Sequence, residues 1–375
     1  MKICMIGHKR IPSREGGVEI VVEELATRMV KSGHQVTVYN RKGKHVSGEN
    51  IDIQNHNLKS YKGVKIVNIP TSEKKSLNAL IYSILGTFRA LFGHFDVVHY
   101  HAEGSCVMLP ILHFFGIRTI ATIHGLDWQR AKWGGFATRY LLLGEKMAAK
   151  YADEVIVLSE NVKQYFKETY KREVLFIPNG VSQPMVRKAD LIQKEYGLHK
   201  DEYLLFLARI VPEKGVHYLI DAFKQIDTDK KLVIAGGTSH TDAYMDEVKK
   251  MAATDNRIIM TGFVQGKMLE ELYSNAYLYI LPSDIEGMPL SLLEAMSYGN
   301  CCVVSDISEN MEVVEDKAVS FEKGNVNDLK KKICDLINEP DKQRKLKSEA
   351  ADFILGKYNW NKIVEKTLDV YRKEK

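Results

Sequence analysis

One segment of the chain reads Leu281-Pro282-Ser283-Asp284-Ile285-Glu286-Gly287-Met288-Pro289-Leu290-Ser291-Leu292-Leu293-Glu294-Ala295-Met296. The apolar run that ends at Leu281 is typical of a buried strand, and the glycine and prolines that follow it indicate a turn. Proline is favoured at the first helical position, so the apolar residues from Pro289 onward predict a helix. A strand, a loop and a helix in this order form the repeating unit of a parallel α/β sheet.

The same alternation extends in both directions from this segment. Short apolar runs separated by amphipathic stretches predict a doubly wound parallel sheet, and a turn cluster at Pro178-Asn179-Gly180 interrupts the pattern before it restarts. The predicted strands are 2–7, 35–40, 64–69, 95–100, 118–123, 154–158 and 174–177, followed by 203–208, 231–235, 257–261, 277–281 and 301–304.

The chain has 375 residues, which is too long for one ordinary core. We therefore predict two Rossmann-like α/β domains, an N-terminal one over residues 1–185 and a C-terminal one over residues 186–358, followed by a last helical segment at 359–375. Ligands of such sheets bind beyond the carboxyl ends of the strands, so we expect the substrates between the two domains.

Composition excludes several classes of protein. The five cysteines are odd in number and show no C-x-x-C spacing, which argues against a disulfide framework or a zinc site and favours a reducing cytoplasm. The apolar start at residues 3–6 is too short for a signal peptide, and no stretch reaches the length of a membrane span, so we expect a cytoplasmic protein.

Charge is unevenly distributed. Residues 1–180 contain 25 Lys and Arg against 16 Asp and Glu, whereas residues 181–375 contain 28 against 32. A basic half favours an anionic partner such as a phosphorylated ligand, nucleic acid or an acidic lipid surface.

The predicted loop and helix of the opening segment carry two carboxylates. Glu286 falls in the loop and Glu294 about one turn inside the helix, so both are expected to face the ligand. One carboxylate can accept hydrogen bonds from sugar hydroxyls and the other from ribose hydroxyls. The amides of Leu290 and Ser291 at the helix start, next to Gly287, suit a phosphate.

Two further loops offer phosphate contacts. Arg209 and Lys214 lie between a predicted strand and a predicted helix, where two cations can neutralise a leaving diphosphate. Gly16 and Gly17 precede the first predicted helix and let the backbone approach a ligand. They do not form the G-x-G-x-x-G dinucleotide fingerprint.

Taken together, the E-x7-E spacing from Glu286 to Glu294 and the paired cations Arg209 and Lys214 resemble retaining GT-B glycosyltransferases of family 4. The resemblance extends over nearly the whole chain, and its further elements are Gly16-Gly17, His124-Gly125, Pro178-Asn179-Gly180-Val181 and Tyr358-Asn359-Trp360. It implies two Rossmann-like domains facing across a cleft, with a last helix that crosses back to the N-terminal domain.

The resemblance also implies roles for individual residues. Glu286 would contact the donor sugar, Glu294 the ribose, and the backbone around Phe263 and Val264 the nucleotide base. Gly16 and Gly17 would lie near the donor diphosphate. The expected catalytic residues are His124, Arg209, Lys214 and Glu286.

Residues on the acceptor side are less strongly indicated. His99 and His101 alternate along one predicted strand and so share one face, and either a ligand contact or an internal hydrogen bond is compatible with the pattern. Asp127, in the loop after His124, is a further candidate. No third ligand accompanies the two histidines, so we expect no metal site there.

Two stretches narrow the resemblance to a subgroup. Residues 10–19 and 122–134 are similar to the subgroup that contains rhamnosyltransferases of bacterial capsule and cell-wall polysaccharide synthesis. That subgroup also contains members that transfer other sugars. The resemblance implies a UDP-, dTDP- or GDP-sugar donor, a glycan acceptor attached to a lipid and no role for nucleic acid.

The sequence also contains a stretch that matches, in spacing only, the motif that binds a metal ion in another glycosyltransferase architecture. Asp227-Thr228-Asp229 spells D-x-D but precedes a predicted strand, away from the expected ligand end of the sheet. We interpret it as a loop. We therefore expect no metal cofactor, with Arg209, Lys214 and helix amides stabilising the leaving diphosphate.

Two alternative functions remain compatible with the sequence. A nucleotide-sugar 2-epimerase uses the same architecture without an acceptor, and a non-catalytic subunit that binds sugar nucleotides has the same fold. Donor turnover to an epimer without an acceptor would indicate the first alternative. Intact Arg209, Lys214, Glu286 and Glu294 count against the second.

The segment from Lys74 to Phe92 has a pronounced apolar periodicity. Its apolar residues recur at positions 77, 80, 81, 84, 85, 88, 91 and 92, which predicts one helical face that covers the sheet. Two lysines, Lys74 and Lys75, precede this helix. With the positive excess of the N-terminal half, they predict reversible, salt-sensitive docking on an anionic membrane.

Overall fold

The computed structural model describes residues 1–43, 58–72, 75–129, 135–238 and 242–373. The chain forms two compact units, one of Met1–Asn179 with Trp360–Lys375 and the other of Gly180–Asn359. The first boundary falls six residues before the predicted start of the C-terminal domain at 186. Lys74, which the sequence placed before a membrane-docking helix, lies outside the described residues.

The first unit contains an eight-stranded sheet of order β3-β4-β2-β1-β5-β6-β7-β8. All neighbours pair in parallel except β3 and β4, which are antiparallel. The strands are β1 (Lys2–Ile6), β2 (Gln35–Lys42), β3 (Ser60–Tyr61), β4 (Val64–Pro70), β5 (Val97–His101), β6 (Arg118–Ile123), β7 (Glu154–Val157) and β8 (Leu175–Phe176).

Helices cover this sheet. They are α1 (Gly17–Lys31), α2 (Lys75–Leu91), α3 (Glu103–Cys106), α4 (Leu109–Phe114), α5 (Gly135–Tyr151) and α6 (Glu160–Tyr170), with the C-terminal helix α15 (Trp360–Arg372) in the same unit. Helix α15 packs on α1, and Arg118 of β6 donates to its Val370 carbonyl at 2.8 Å. The last helix is therefore an integral part of the first unit.

The second unit contains a six-stranded parallel sheet of order β11-β10-β9-β12-β13-β14. Its strands are β9 (Tyr203–Leu207), β10 (Lys231–Ala235), β11 (Ile258–Gly262), β12 (Leu278–Leu281), β13 (Cys301–Ser305) and β14 (Val319–Phe321). Its helices are α7 (Leu191–Tyr196), α8 (Val216–Lys224), α9 (Asp242–Ala252), α10 (Gly266–Asn275), α11 (Leu290–Ser297), α12 (Ser308–Val314), α13 (Val326–Asn338) and α14 (Pro340–Lys357).

The prediction of two doubly wound α/β units is confirmed. The central strands of each sheet are buried on both faces, since fully buried Val, Ile, Leu, Phe and Tyr side chains fill them. Two short strands, β3 and β14, were not predicted from the sequence. Pro289 is the N-cap of α11 rather than its first helical residue, with φ −77° and ψ 100°.

The predicted buried face of α2 is wrong. Of the eight apolar residues, Leu77, Leu85, Phe88 and Phe92 are exposed, and those at 80, 81, 84 and 91 are only half-buried. The side that packs on the sheet instead carries Tyr82, Ser83, Gly86, Thr87 and Ala90, all buried. Within the described ranges, no helix combines the length and the apolar character needed to span a membrane.

Candidate functional site

The site residues of the second unit lie on loops at the carboxyl ends of neighbouring strands. Strands β9 and β12 pair in parallel, so the loop after β9, with Arg209 and Lys214, lies beside the loop after β12, with Glu286. The backbone amide of Asp284 donates to the carbonyl of Glu213 at 2.9 Å. The sheet therefore brings both predicted loops to one edge.

Gly215 permits this close approach. Its φ is +66°, and a Cβ atom there would lie 2.0 Å from the carbonyl oxygen of Pro282. Any other residue would force the two loops apart, since that contact is with backbone rather than with a flexible side chain. The K-G pair at Lys214 and Gly215 thus combines a cation with the one residue type that fits.

Lys214 and Glu286 contact each other directly. The ammonium of Lys214 forms an ion pair with Oε1 of Glu286, and their side chains are only 13% and 6% exposed. The hydroxyl of Ser283, which is fully buried, donates to the same carboxylate oxygen at 2.7 Å. Removing one partner of a buried pair leaves an uncompensated charge and costs about 3–5 kcal/mol.

A buried hydrogen-bond network fixes the loop that carries Glu286. The hydroxyl of Ser305 on β13 donates to the carbonyl of Ser283 at 2.5 Å, and the amide of Asn310 on α12 donates to the carbonyl of Ser305 at 3.1 Å. All three side chains are buried. Buried hydrogen bonds between elements restrict the movement of a loop, so the carboxylate of Glu286 is held in a defined position.

Glu294, on α11, is held by a tyrosine that the sequence analysis did not find. The hydroxyl of Tyr273 on α10 lies 3.3 Å from Oε2 of Glu294 and 3.3 Å from the carbonyl oxygen of Ser291. Burial, reinforced by the Glu294 carboxylate, raises the pKa of Tyr273 well above its usual value, so the phenol stays protonated as a donor. Tyr298 stacks on its ring with a centroid distance of 5.3 Å.

The remaining candidates of the second unit lie on adjoining loops. The amide of Ile210, next to Arg209, donates to the carbonyl of Gly237 at 2.9 Å, and a Cβ atom on Gly237 would contact Cβ of Phe263 at 3.6 Å. Phe263 and Val264 follow β11 and are half-buried. Gly287 is buried, and Leu290 and Ser291 begin α11.

In the first unit, the structure brings three histidines together. His99 and His101 lie on β5 with ring centroids 4.1 Å apart, and Nδ1 of His101 lies 3.1 Å from Nε2 of His124, which follows β6. Burial is the main cause that lowers the pKa of His101 well below its usual value, and burial with His124 lowers that of His99 to about 3. His99 and His101 are therefore neutral at pH 7.

Both ring nitrogens of His99 are occupied. Nδ1 lies 2.5 Å from the hydroxyl of Tyr371 on α15, and Nε2 lies 2.7 Å from the hydroxyl of Thr122. A ligand of His99 would have to displace one of these partners. Asp127 opens a 3₁₀ turn after β6, and its backbone amide donates to the buried carboxylate of Glu103 at 3.2 Å.

The glycines at the start of α1 adjoin a carboxylate. Gly16 is the N-cap of the helix, and a Cβ atom there would lie 2.4 Å from Oε2 of Glu19. Glu19 is buried and accepts a hydrogen bond from the amide of Lys9 at 2.8 Å. Burial acts to raise the pKa of Glu19, but the charge and amide of Lys9, together with His8 and the Glu19 amide, lower the pKa overall. The helix start therefore already faces an internal anion.

His8, in the loop after β1, is a further residue that the sequence analysis missed. Its Nε2 lies 3.0 Å from Oδ1 of Asn40, and burial lowers its pKa to about 4. The preceding Gly7 has φ +121°, and a Cβ atom there would lie 1.9 Å from the carbonyl oxygen of His101. The ends of β1 and β5 are therefore in direct backbone contact beside the histidines.

Comparison with known proteins identifies the class. A family model described as glycosyl transferases group 1 matches residues 188–353, and one described as Glycosyltransferase Family 4 matches residues 15–183. The chain belongs to the GT-B glycosyltransferases of family 4 type.

Curated relatives include an uncharacterized glycosyltransferase of Methanocaldococcus jannaschii, 25% identical over 99% of this chain and 98% of that protein. A second is a UDP-Gal:alpha-D-GlcNAc-diphosphoundecaprenol alpha-1,3-galactosyltransferase of Escherichia coli, 28% identical over 74% of this chain and 75% of that protein.

Solved structures share the fold. Sucrose-phosphate synthase from Thermosynechococcus elongatus matches with a TM-score of 0.83 and 20% identity over 99% of this chain and 98% of that chain. Anabaena HepE in complex with UDP and glucose matches with a TM-score of 0.81 and 18% identity over 99% of both chains.

Proposed function

We propose that the enzyme transfers a hexose from a nucleotide diphosphate sugar to a lipid-linked glycan acceptor in bacterial surface polysaccharide synthesis, with retention of configuration and with rhamnose as the preferred sugar. The observation that carries this proposal is the cluster of Lys214, Glu286 and Ser283 beside Arg209, with Glu294 on the adjacent helix. Cations and carboxylates at the carboxyl edge of one parallel sheet suit a ligand that has both a diphosphate and hydroxyl groups.

In the proposed mechanism, Arg209 and Lys214 stabilise the negative charge that develops on the leaving diphosphate as the glycosidic C–O bond breaks. The carboxylate of Glu286 accepts hydrogen bonds from the donor sugar, and that of Glu294 from the ribose. The backbone around Phe263 and Val264 contacts the base. The acceptor attacks the face that the diphosphate leaves, and a diphosphate oxygen takes the acceptor proton.

The ion pair between Lys214 and Glu286 bears directly on this mechanism. Diphosphate oxygens compete with Glu286 for the Lys214 ammonium, so donor binding frees the carboxylate to accept hydrogen bonds from sugar hydroxyls. Ser283 keeps one hydrogen bond to the carboxylate during this exchange. The unliganded site thus satisfies each charge internally until the donor replaces both partners.

For the first unit, we propose that His124 acts at the reacting sugar and that His101, His99 and Asp127 lie on the acceptor side. Gly16 and Gly17 are proposed to adjoin the donor diphosphate, where the carboxylate of Glu19 has to accommodate the ligand. The lipid-linked acceptor is supported by the galactosyltransferase of Escherichia coli, whose name specifies a diphosphoundecaprenol acceptor. We propose that the enzyme meets such an acceptor at the inner face of the membrane.

A panel of UDP-, dTDP- and GDP-sugars tests the donor. The true donor is expected to raise the melting temperature, since a ligand that binds only the folded state stabilises it by mass action. Transfer to a lipid-linked acceptor, followed by NMR of the product, then reports the anomeric configuration. Stabilisation by none of the donors would contradict the proposal, and conversion of the donor to a 2-epimer without an acceptor would replace transfer by epimerisation.

A further inference from the structure

Helix α2 and the residue just after it present four large apolar side chains to solvent. Leu77, Leu85, Phe88 and Phe92 are 41%, 42%, 47% and 75% exposed, and they recur at helical spacing along one side of the helix. The opposite side, with Tyr82 and Thr87, is fully buried against the sheet. An amphipathic helix in a globular protein ordinarily has the reverse arrangement.

The neighbouring helices extend this apolar surface. Phe114 and Phe115 at the end of α4 are 80% and 66% exposed, and Phe136 and Leu143 on α5 are 82% and 44% exposed. Helix α4 contacts both α2 and α5. We call the exposed sides of α2, α4 and α5, with Phe92 and Phe115 at their ends, the outer helical face.

The three helices cover one side of the sheet, so their exposed sides form one surface. A single hydrophobic cluster joins their inward residues to strands β1, β5 and β6, and the cluster members that come from these three helices are Tyr82, Ala90, Leu109, Leu112, Ala148 and Ala149. Among the described residues, eight of the ten exposed large hydrophobic side chains lie on the outer helical face, and the others are Met185 and Val186. An exposed apolar concentration of this kind indicates an interaction site.

The charges on this face have one sign. The exposed ionisable residues of α2, α4 and α5 that the structure describes are Arg89, His113, Arg139, Lys146 and Lys150. The only acidic residue in these three helices is Glu145. It is fully buried and accepts hydrogen bonds from Trp128 at 3.2 Å, Tyr165 at 2.7 Å and Tyr170 at 2.5 Å.

We propose that the outer helical face docks on an anionic lipid bilayer, with Phe114, Phe115 and Phe136 inserted at the level of the headgroups. Aromatic side chains are favoured at the membrane interface, and surface cations are attracted to anionic lipids. A second copy of the chain fits less well, because a self-complementary interface would bring cations against cations. This inference rests on the proposed function in one respect: docking would bring the enzyme to its lipid-linked acceptor.

Sedimentation with lipid vesicles tests the proposal. The full chain is mixed with vesicles of phosphatidylcholine alone or with phosphatidylglycerol, each at low and high salt. We expect binding to the anionic vesicles that falls at high salt, since salt screens exposed charges. The Phe114→Ser/Phe115→Ser variant is expected to bind about tenfold more weakly, whereas the matched control Met185→Ser/Val186→Ser keeps normal binding.

A second pair of variants, in which exposed charges are reversed, tests the proposal even if the Phe114→Ser/Phe115→Ser variant does not fold. Arg139→Glu/Lys146→Glu changes two exposed residues and is expected to abolish the preference for anionic vesicles, whereas Lys249→Glu/Lys250→Glu on α9 retains it. Equal binding to both vesicle types, binding to neither, or equal losses in the control variants would overturn the proposal. A dimer in light scattering that the Phe114→Ser/Phe115→Ser change dissociates would instead assign the face to self-association and also overturn it.

The outcome is separable from that of the proposed function. Thermal stabilisation by the donor sugar is measured without lipid, and it is expected to be the same in all four variants and the unchanged enzyme. Loss of vesicle binding with intact donor stabilisation supports the docking face. Donor stabilisation that is absent from every protein, with vesicle binding retained, contradicts the proposed function alone.

Discussion

The ammonium of Lys214 is paired with the carboxylate of Glu286 across two loops that are 72 residues apart in the chain. Because both charges are largely buried, neither can be removed without exposing the other to an unfavourable environment. The ion pair thus links the two loops both structurally and electrostatically.

We expect Arg209→Ala, Lys214→Ala and Glu286→Ala each to lower the rate of sugar transfer at least about tenfold, equivalent to about 1.4 kcal/mol of transition-state stabilisation. Lys249→Ala, at an exposed position on α9, is the matched control. Steady-state kinetics with the identified donor measures the effect, and circular dichroism checks that each variant is folded. Near-normal transfer by all three variants would exclude this site.

Tyr273→Phe is expected to raise the KM for the donor several-fold, because Glu294 loses the hydroxyl that lies 3.3 Å from its carboxylate. The matched control is Tyr277→Phe, whose hydroxyl instead donates to the carbonyl of Leu336 at 2.9 Å. Each change removes one buried hydrogen bond, with a cost to stability of about 1 kcal/mol. Equal KM values for the two variants would mean that Tyr273 does not position Glu294.

Acidification is expected to destabilise the first unit. Burial lowers the pKa of His8 from 6.5 to about 4, so the unfolded state binds a proton that the folded state does not. Stability from this group is complete above pH 6.5 and is lost as the pH falls from 6.5 towards 4, by about 1.4 kcal/mol per pH unit.

Tryptophan fluorescence measures this effect selectively, since Trp128 and Trp360 belong to the first unit and the sequence of the second unit, Gly180–Asn359, contains no tryptophan. Urea unfolding at pH 7.5, 6 and 5 gives the slope of the unfolding free energy against pH. The His8→Gln variant is expected to reduce that slope by the contribution of about one proton, about 1.4 kcal/mol per pH unit. The exposed His94→Gln is the matched control. An unchanged slope in His8→Gln would show that His8 is not the neutral buried group.

Transfer is expected to continue in the presence of EDTA. The proposed mechanism assigns the charge on the leaving diphosphate to Arg209, Lys214 and the amides at the start of α11. Activity assays with and without EDTA, followed by addition of magnesium or manganese, measure the dependence. Activity that chelation abolishes and either cation restores would require a metal in the mechanism.

The sequence predicted the fold well because buried parallel strands leave an unmistakable pattern of apolar runs between amphipathic helices. It also predicted that Glu286 and Lys214 follow strands, which places them at one edge of the sheet. It could not predict that Ser283 and Tyr273 hold the two carboxylates. Those contacts depend on packing between elements, and no spacing within the chain encodes them.

Helix α2 shows a different limit of prediction from the sequence. Periodicity identifies the apolar side of a helix but not the side that faces the sheet, and here the buried side carries Tyr82 with the small residues Ser83, Gly86, Thr87 and Ala90. Thr87 lies within hydrogen-bonding distance, 2.8 Å, of the Tyr100 hydroxyl, and a Cβ atom on Gly86 would contact the ring of Tyr39 at 3.6 Å. Close packing and a buried hydrogen bond replaced the expected burial of leucine and phenylalanine.

The first and last residues of the second unit lie next to each other in the fold. The amide of Val181 donates to the carbonyl of Tyr358 at 2.7 Å, and Val181 forms a parallel bridge with Asn359. In genetic terms, Gly180–Asn359 is a continuous cassette within the coding sequence, whereas the first unit is encoded in two separated pieces. Since its ends are already joined by hydrogen bonds, this cassette is suited to expression by itself or to exchange between related enzymes.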